Sequence, residues 1–452
     1  MGAALFDRNN PYATIVVSDD RMTYILAFLF VLGVLVFVHE LGHFLVARWY
    51  GVRVHTFSLG FGPKILKITR GGTEYCISIV PLGGYVKLAG ETVEDQRSGA
   101  PDEFLSKSKW VRFQVYLAGP IMNLLLAFVV LAISMMGGAE VALYDSAPPI
   151  VGTVASGSPA EQVGIHVGDR VLTVNGRAVE TWDALSMAVV PKANMQLTIA
   201  VERAGERLEF KVTPDAVGRF EIGDLGLLPV IRPQVSSVYP GRPAERAGFK
   251  KGDVLIALNG QRGLRQSELI KQIQQSAGKS IVFTVEREDA SVDLAVVPEG
   301  SAGAATIGVQ ISPFETRHVD PTVGQAFKLS AQENWKSTLQ IGETLKGLFT
   351  RETQVKQLMG PLGIAELSGS AAELGFGALL ALMAMISLNL GLLNLMPVPV
   401  LDGGHIAILA VEGLARRDLS SRVKERILIA GAALIALLMV TVIYNDIARL
   451  MR

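Results

Sequence analysis

The chain has 452 residues, half of them hydrophobic, and its mean hydropathy of +0.37 is high for a water-soluble protein. Lys and Arg number 42, as do Asp and Glu, so no excess of positive charge indicates a nucleic-acid partner. The single cysteine excludes an intrachain disulfide framework and a thiolate-rich zinc site, so any zinc must be held by His and carboxylate.

Residues 1–23 are predicted to form a polar N-terminal extension without a secretory signal pattern, and Met22 is an alternative start. Residues 24–47 are predicted to form the first transmembrane helix, because they are apolar or uncharged apart from one short motif. Ionisable side chains inside a membrane helix are costly, so that motif is a candidate functional site.

The motif is His39-Glu40-Leu41-Gly42-His43, the H-E-x-x-H pattern of zinc peptidases. On a helix, His39 and His43 lie on one face and can bind one metal ion, while Glu40 can serve as the general base. The alternative is that these are hydrogen-bonded core residues. It is disfavoured because it would leave three polar groups in hydrocarbon, at several kcal/mol each.

Residues 48–112 carry ten basic residues and are predicted to be a cytoplasmic-side loop under the positive-inside rule. Residues 74–80 and 85–88 are predicted to pair as a β-hairpin across a turn at 81–84. An ordinary surface ribbon is the alternative to a hairpin that re-enters the membrane. Residues 113–137 are the second predicted span, whose start Ala118-Gly119-Pro120 permits close helix approach and whose Asn123 can bond across a helix interface.

Residues 150–314 contain an internal repeat. Positions 158–176 recur 84 residues later without a gap, including a Pro-Ala-Glu triplet, a Gly-Asp pair and an Asn-Gly turn. The repeated pattern resembles bacterial PDZ domains, with one module at 150–228 and the next at 229–314. PDZ modules bind extended peptides by strand addition, and the resemblance makes Leu227 and Val309 candidate ligand-strand residues. The alternative is that the two modules are bulky spacers.

Residues 315–375 are predicted to be an amphipathic connector, either on the membrane surface or packed against a PDZ module. Residues 376–396 form the third predicted span and residues 427–445 the fourth. Between them, residues 397–426 begin with Pro397 and Pro399, which end the helix, and continue into a basic cytoplasmic segment. This pattern places both termini and the repeat outside the cytoplasm.

A catalytic zinc normally has three protein ligands, and the first span supplies two. The candidates for the third are Asp402, which follows the break after the third span, and His405. Asp402 is favoured because irregular backbone at membrane depth must line a protein or water-filled cavity. Its alternative role is to cap the following helix, and His405 is the second candidate ligand.

These motifs resemble those of the site-2 protease family of intramembrane zinc metalloproteases. The H-E-x-x-H motif, the A-G-P-x-x-N sequence at 118–123 and the N-L-x-P-x-P-x-L-D-G-G sequence at 394–404 carry the resemblance, together with residues 58–62 and 81–87. It implies a Zn²⁺ ion bound by His39, His43 and Asp402, with Glu40 catalytic. It also implies substrate binding by residues at the end of the third span and just after it, and by residues of a membrane-reentrant β-element: Asn394, Pro397, Pro399, Gly83, Gly84, Tyr85 and Val86.

The predicted fold is a polytopic α-helical membrane protein with four transmembrane helices, a cytoplasmic-side reentrant β-hairpin and two extracytoplasmic α+β PDZ domains in tandem. The family resemblance implies a protease of the bacterial inner membrane. Its substrates are expected to be single-span membrane proteins, typically an anti-sigma factor first cut by a site-1 protease, and remnant signal peptides. The resemblance also implies that the PDZ pair excludes uncut substrates. A non-proteolytic PDZ scaffold and a metal transporter are the alternatives.

Overall fold

The computed structural model of the protein describes residues 21–91, 98–218, 221–288, 290–301, 303–350 and 359–450. Most of the predicted N-terminal extension therefore lies outside the described residues. The described chain divides into two compact units, one of residues 139–319 and the other of the segments on either side.

The elements in chain order begin with α1 (Arg21–Trp49), β1 (Val54–Arg70), β2 (Thr73–Leu88) and α2 (Lys109–Met136). The strand-rich unit of residues 139–319 contains β3 (Ala139–Ala142), β4 (Val151–Val154), α3 (Pro159–Gln162), β5 (Arg170–Val174), β6 (Arg177–Ala178), α4 (Trp182–Val189), β7 (Leu197–Arg203), β8 (Glu206–Val212), β9 (Asp215–Val217), β10 (Ile222–Asp224), β11 (Leu227–Pro229), β12 (Gln234–Val238), α5 (Pro243–Arg246), β13 (Val254–Leu258), β14 (Gln261–Arg262), α6 (Gln266–Gln275), β15 (Ile281–Arg287), β16 (Ala290–Val296), β17 (Val309–Ser312) and β18 (Thr316–Val319). The chain ends with α7 (Val323–Phe349), α8 (Pro361–Leu374), α9 (Phe376–Asn394), α10 (Asp402–Leu414) and α11 (Ser421–Leu450).

Four helices of the described chain are long and apolar enough to cross a membrane, namely α1, α2, α9 and α11. They correspond to the four predicted spans: α1 and α11 extend beyond their spans at both ends, α2 begins four residues earlier than predicted, and α9 ends two residues earlier. Helix α2, for example, begins after Ser108, whose side chain accepts a hydrogen bond from the Val111 N–H at 3.4 Å. Helix α9 ends at Asn394, where the following prolines stop it.

Helices α1, α2 and α9 form the centre of the helical unit. Their shared apolar core contains Val31, Leu35, Val130 and Met383, all buried. Helix α11 lies at the rim of the helical unit, since only 11% of its most apolar stretch is buried, against 28–33% in α1, α2 and α9. The three central helices are therefore the ones that can enclose a polar site.

The predicted hairpin at residues 74–88 is wrong in its pairing. Its two arms form one bent strand, β2, and both arms pair with β1 and not with each other. Phe57 of β1 pairs with Val86 on one side and with Tyr75 on the other. Ile77 of β2 likewise has two partners in β1, Leu59 before its bend and Leu66 after it. The two bent strands thus build a small antiparallel sheet in which residues 84–88 form one edge.

The predicted connector is not a single element. Residues 316–319 form β18, which pairs with β3, and the rest contains the two helices α7 and α8. Helix α7 packs against α2, where the Ser330 hydroxyl donates to the Phe128 carbonyl at 2.7 Å and the Phe327 and Phe128 rings lie 5.3 Å apart. The sequence did not predict this packing partner.

Two buried carboxylates fix the ends of the last helices. Asp446 of α11 accepts hydrogen bonds from the backbone N–H groups of Gly360 and Gly363, at 3.1 and 3.2 Å, and so caps the first turn of α8. Glu412, near the end of α10, is fully buried and pairs with Lys424 at 2.6 Å. These contacts tie α11 to α8 and to α10.

The internal repeat extends well beyond the nineteen matching positions. Buried core residues of the first copy, such as Val151, Val171 and Ile199, have buried counterparts 84 positions later in the second copy, up to Val212 and Val296. After Val212 and Val296 the offset between the copies shortens to 82 residues. Gly226 and Gly308, which are 82 positions apart, occupy equivalent positions and have φ angles of +74° and +80°. Each of these glycines accepts a hydrogen bond at its carbonyl, from Ala155 at 2.8 Å and from Tyr239 at 2.9 Å.

A buried ion pair is duplicated with the repeat. Arg203 binds both carboxylate oxygens of Asp169 at 2.7 Å and the Gly164 carbonyl at 2.7 Å, and Arg287 makes the equivalent bonds to Asp253. Burial would raise the pKa of Asp169, but the hydrogen bonds from Arg203 and from the His166 backbone outweigh it and lower that pKa below its ordinary value of 3.8. The charged carboxylate therefore stabilises the folded first copy.

We predict that Asp169→Asn lowers the free energy of unfolding at pH 7 by about 1–3 kcal/mol, because the Arg203 guanidinium loses its paired charge. A depressed carboxyl pKa contributes stability above its unfolded value, so the difference from wild type should shrink as the pH falls below about 4. Pulse proteolysis of the purified protein in urea measures both effects. The matched control is Asp215→Asn at an exposed position, and a pH-independent loss in Asp169→Asn would contradict the prediction.

Candidate metal centre

Helix α1 brings two imidazoles together. His39 and His43 lie one turn apart on the same face, and their Nε2 atoms are 3.2 Å from each other. His39 is buried and His43 is half-buried. Two ring nitrogens at this separation, in apolar surroundings, require either a shared hydrogen or a cation between them.

Asp402 completes the group. It is the first residue of α10, whose N-cap is Leu401 with no side-chain cap hydrogen bond. The carboxylate turns to the histidines, with Oδ2 3.2 Å from His39 Nε2 and Oδ1 3.5 Å from His43 Nε2. The structure thus brings together the three residues that the sequence favoured as ligands.

The break between α9 and α10 positions Asp402 by close backbone contacts. A Cβ on Gly403 would overlap the carbonyl oxygens of Leu395 and Met396, and one on Gly404 would overlap that of Val398. Val400 has a φ of +84°, which is strained for a β-branched residue and costs on the order of 1–3 kcal/mol. The two glycines are therefore required by the tight path that leads to Asp402.

Helix α2 supplies no ligand but shapes the site. The His43 Nδ1–H donates to the Val115 carbonyl at 2.7 Å, which leaves Nε2 with a free lone pair. A Cβ on Gly119 would overlap His43 Nε2, and one on Gly42 would overlap the Ala118 carbonyl. The small residues of α2 thus allow α1 to approach, as the sequence predicted, and leave space beside the ligand atoms.

The donor set fits a zinc ion. Zinc at about 2.0–2.1 Å from N and O ligands in tetrahedral geometry gives ligand–ligand distances of about 3.3 Å. The distances between the two Nε2 atoms and the nearest Asp402 oxygens run from 3.2 to 3.5 Å. Two neutral imidazoles and one carboxylate are typical ligands of a catalytic zinc, which keeps a fourth position for water.

His405, the second candidate for the third ligand, lies outside the ligand group of His39, His43 and Asp402. Its ring stacks on Tyr116 of α2, with centroids 4.7 Å apart and an interplanar angle of 9°. The contact holds the start of α10 against α2. His405 thus makes a packing contact in this structure and is not one of the three converging residues.

Glu40 is half-buried and faces the edge of the β-sheet. A Cβ on Gly84 would lie 3.0 Å from Glu40 Cγ and 2.8 Å from a methyl group of Val36, so β2 runs directly against α1 here. The backbone of Val86 also lies near the Glu40 carboxylate. The edge formed by residues 84–88 therefore meets the candidate general base.

The other predicted residues lie in different surroundings. Gly83 packs on the Phe61 ring, which stacks on Tyr85 with ring centroids 6.2 Å apart. Asn394 is the last residue of α9, half-buried, and Pro397 is exposed. Pro399 packs against Gly431 of α11.

Leu227 and Val309 belong to the separate strand-rich unit. Leu227 begins β11, which pairs with β4, and Val309 begins β17, which pairs with β12. The two residues occupy equivalent positions in the two copies of the repeat.

Sequence reasoning missed the contributions of Val115, Tyr116 and Gly119. A backbone carbonyl acceptor leaves no signal in residue identity, and the stacking of Tyr116 on His405 depends on how two distant helices pack. The small residues at 118–119 were a usable signal for helix approach, although not for the space that they leave beside His43.

Two imidazoles, a carboxylate and an adjacent glutamate, enclosed by apolar helices, define a metallopeptidase site of the membrane-embedded class. Comparison with known proteins identifies the family. The profile of peptidase family M50 matches residues 27–438. The chain belongs to this family and is a zinc metalloprotease of the site-2 type.

Related proteins match almost the whole chain. Protease RseP of Yersinia pestis is 34% identical over 94% of this chain and 98% of its own. A protein of Neisseria meningitidis named as a zinc metalloprotease is 34% identical over 95% of this chain and 100% of its own. The regulator of sigma-E protease RseP of Escherichia coli is 32% identical over 94% and 98%, respectively. The predicted resemblance to the site-2 protease family is confirmed.

We predict that Gly119→Ala weakens zinc binding at least tenfold, since the added methyl group would overlap His43 Nε2. The matched control is Gly33→Ala in α1, where a Cβ would meet nothing within 4 Å. Zinc content per polypeptide, measured by elemental analysis after equilibration with a chelator, compares the two. Equal zinc retention in both variants would show that Gly119 does not shape the centre.

Proposed function

We propose that this protein is an intramembrane zinc endopeptidase that cleaves transmembrane segments of single-span membrane proteins. The observation that carries the proposal is the convergence of His39, His43 and Asp402 beside Glu40, within helices apolar enough to cross a membrane. A soluble peptide substrate would not require such surroundings. A membrane-embedded substrate would.

The depth of the site supports this substrate class. Trp49 and Trp110, at the end of α1 and the start of α2, are 84% and 67% exposed, as expected for residues at a membrane–water interface. His43 and His39 precede Trp49 by six and ten residues, which is about 9 and 15 Å along a helix. The centre would then lie within a hydrocarbon layer about 30 Å thick.

The orientation follows from charge. The basic residues between α1 and α2, and those between α10 and α11, favour the cytoplasmic side for that end of the bundle. The active site then lies toward the cytoplasm in a bacterial inner membrane. Both termini and the strand-rich repeat would lie in the periplasm.

The chemistry follows from the chain's own residues. His39, His43 and Asp402 would hold the ion, which when bound supplies Lewis-acid activation of water and of the scissile carbonyl. Glu40 holds the attacking water, takes its proton on a carboxylate oxygen and delivers that proton to the leaving amide nitrogen. The new carbon–oxygen bond forms first, and the bond between the carbonyl carbon and the nitrogen breaks after the nitrogen has received that proton.

A helical substrate must be unwound before this attack, because its peptide bonds are hydrogen-bonded and shielded. We infer that residues 84–88 provide the edge on which the unwound segment forms an added strand, with Gly83, Gly84, Tyr85 and Val86 in contact with it. This edge meets Glu40, so an added strand would pass beside the metal centre. Asn394 at the end of α9, and Pro397 and Pro399 after it, are the proposed contacts on the other side.

The two copies of the repeat are proposed to be PDZ domains, in which Leu227 and Val309 begin the ligand-binding strands. In the second copy, a cavity of about 260 Å³ lies between α6 and β17, lined by Ile270, Ile273, Val309 and Ile311 among others. An extended apolar peptide end fits this groove by strand addition. The pair would select substrates that have lost their extracytoplasmic domain.

The family resemblance suggests the substrate, and the name of the Escherichia coli relative, regulator of sigma-E protease, is consistent with it. An anti-sigma factor, shortened first by a site-1 protease, and remnant signal peptides are the proposed substrates in regulated intramembrane proteolysis. A non-proteolytic scaffold is disfavoured, because a scaffold needs neither the assembled ligand group nor Glu40. A transporter is disfavoured because His39, His43 and Asp402 converge on one site, and the described residues form no relay of ionisable groups from it across the helices.

We predict that Glu40→Gln keeps zinc and loses cleavage by at least a hundredfold, because general-base catalysis is removed while the ligands remain. His43→Ala and Asp402→Ala should lose both zinc and cleavage. Co-expression with candidate single-span proteins, followed by immunoblotting and metal analysis of the purified variants, measures the two properties. Cleavage that persists in Glu40→Gln would reject Glu40 as the base.

We predict that Val86→Pro reduces cleavage of a transmembrane substrate at least tenfold, with zinc content unchanged, because proline removes the backbone N–H at the docking edge. Val86→Ala keeps that N–H and is the matched control. Ile77→Pro, inside the sheet, should disrupt pairing with β1 and reduce cleavage as well. Unchanged cleavage in Val86→Pro would exclude strand docking at this edge.

A further inference from the structure

Asn123 of α2 contacts His39 at Nδ1, the ring nitrogen that does not face the other ligands, and it has no role in the proposed mechanism. Its side chain is fully buried, and its Nδ2 lies 3.1 Å from His39 Nδ1. The backbone carbonyl of Asn123, and not its side chain, accepts a hydrogen bond from the Ser387 hydroxyl of α9 at 2.7 Å. Its Oδ1 is buried and has no hydrogen-bond partner among the described residues.

The chemistry of His39 requires an acceptor at this position. Its Nε2 points to His43 and Asp402, so binding an ion there requires a free lone pair on Nε2 and places the ring hydrogen on Nδ1. An Nδ1–H group facing the amide nitrogen of Asn123 would have no acceptor. A half-turn of the amide about χ2 exchanges oxygen and nitrogen with almost no change in shape.

We propose that Asn123 is a positioning residue of the metal centre, whose Oδ1 accepts the hydrogen bond of the His39 Nδ1–H group. The Val115 carbonyl has the same relation to His43. Each imidazole ligand then has its own acceptor on α2, which fixes the ring plane and the nitrogen that carries hydrogen. The inference rests on the proposed zinc site, and it explains why an amide is buried in an otherwise apolar helix interface.

The amide orientation also explains how one residue serves the site with and without an ion. With Nδ2 toward His39, the ring hydrogen lies on Nε2 and can be donated to Asp402 at 3.2 Å. With Oδ1 toward His39, Nε2 is a ligand. Asparagine offers both a donor and an acceptor, which a leucine of similar size cannot offer.

The test is the zinc affinity of the purified full-length protein, measured by competition with a fluorescent chelator. Asn123→Leu should bind zinc 10- to 100-fold more weakly than wild type, as is typical when a partner of a ligand histidine is removed. Asn123→Asp retains an acceptor oxygen and should stay within a few-fold of wild type. Ser387→Ala removes a buried hydrogen bond to the same residue without touching His39, and should leave the affinity unchanged.

Wild-type affinity in Asn123→Leu would overturn the proposal, as would a loss in Asn123→Asp equal to that in a folded Asn123→Leu. If Asn123→Leu fails to fold, Asn123→Asp decides alone, because a more than tenfold loss there contradicts an acceptor role. Proteolysis is not measured, so a zinc-binding protein that cleaves no membrane protein would reject the proposed function and leave this inference standing. A wild-type protein that binds no zinc would reject both.

Discussion

Three electron-pair donors that converge inside apolar helices are the constraint on which the helical unit depends. The Nε2 atoms of His39 and His43 and the carboxylate of Asp402 lie 3.2–3.5 Å apart, where lone pairs repel unless a cation or shared hydrogens stand between them. Such a group is costly to bury and is kept only if the surrounding backbone holds it. The close contacts at Gly42, Gly119 and the two glycines after Asp402 are the consequence.

Helix α2 determines the geometry of the site without contributing a ligand. It offers the Val115 carbonyl to one imidazole and Asn123 to the other, and its Gly119 leaves space at the ligand atoms. The same helix stacks Tyr116 on His405 and so holds the start of α10. Helix α2 therefore contacts both ligand-bearing helices, α1 and α10, and supports the centre from one side.

The parts proposed to handle substrate rely on backbone pairing. Two bent strands build a sheet whose edge at residues 84–88 meets Glu40, and a duplicated module keeps the Asp169–Arg203 pair and its counterpart in both copies. Strand pairing at an edge forms hydrogen bonds with the backbone of the partner and not with its side chains. It would therefore suit a protease that binds apolar segments of different sequence. The repeat keeps an offset of 84 through its core and shortens to 82 before the strands of Leu227 and Val309.

The sequence by itself determined the four apolar helices, the H-E-x-x-H face and the end of α9, because hydropathy, helical spacing and proline act locally. It also favoured Asp402 over His405, because irregular backbone at membrane depth must line a protein or water-filled cavity. Tertiary structure alone decided that both arms of β2 pair with β1, that α7 packs on α2 and that His405 stacks on Tyr116. Local patterns specify which residues form a strand or helix, whereas the partner of each edge and face depends on the packing of segments far apart in the chain.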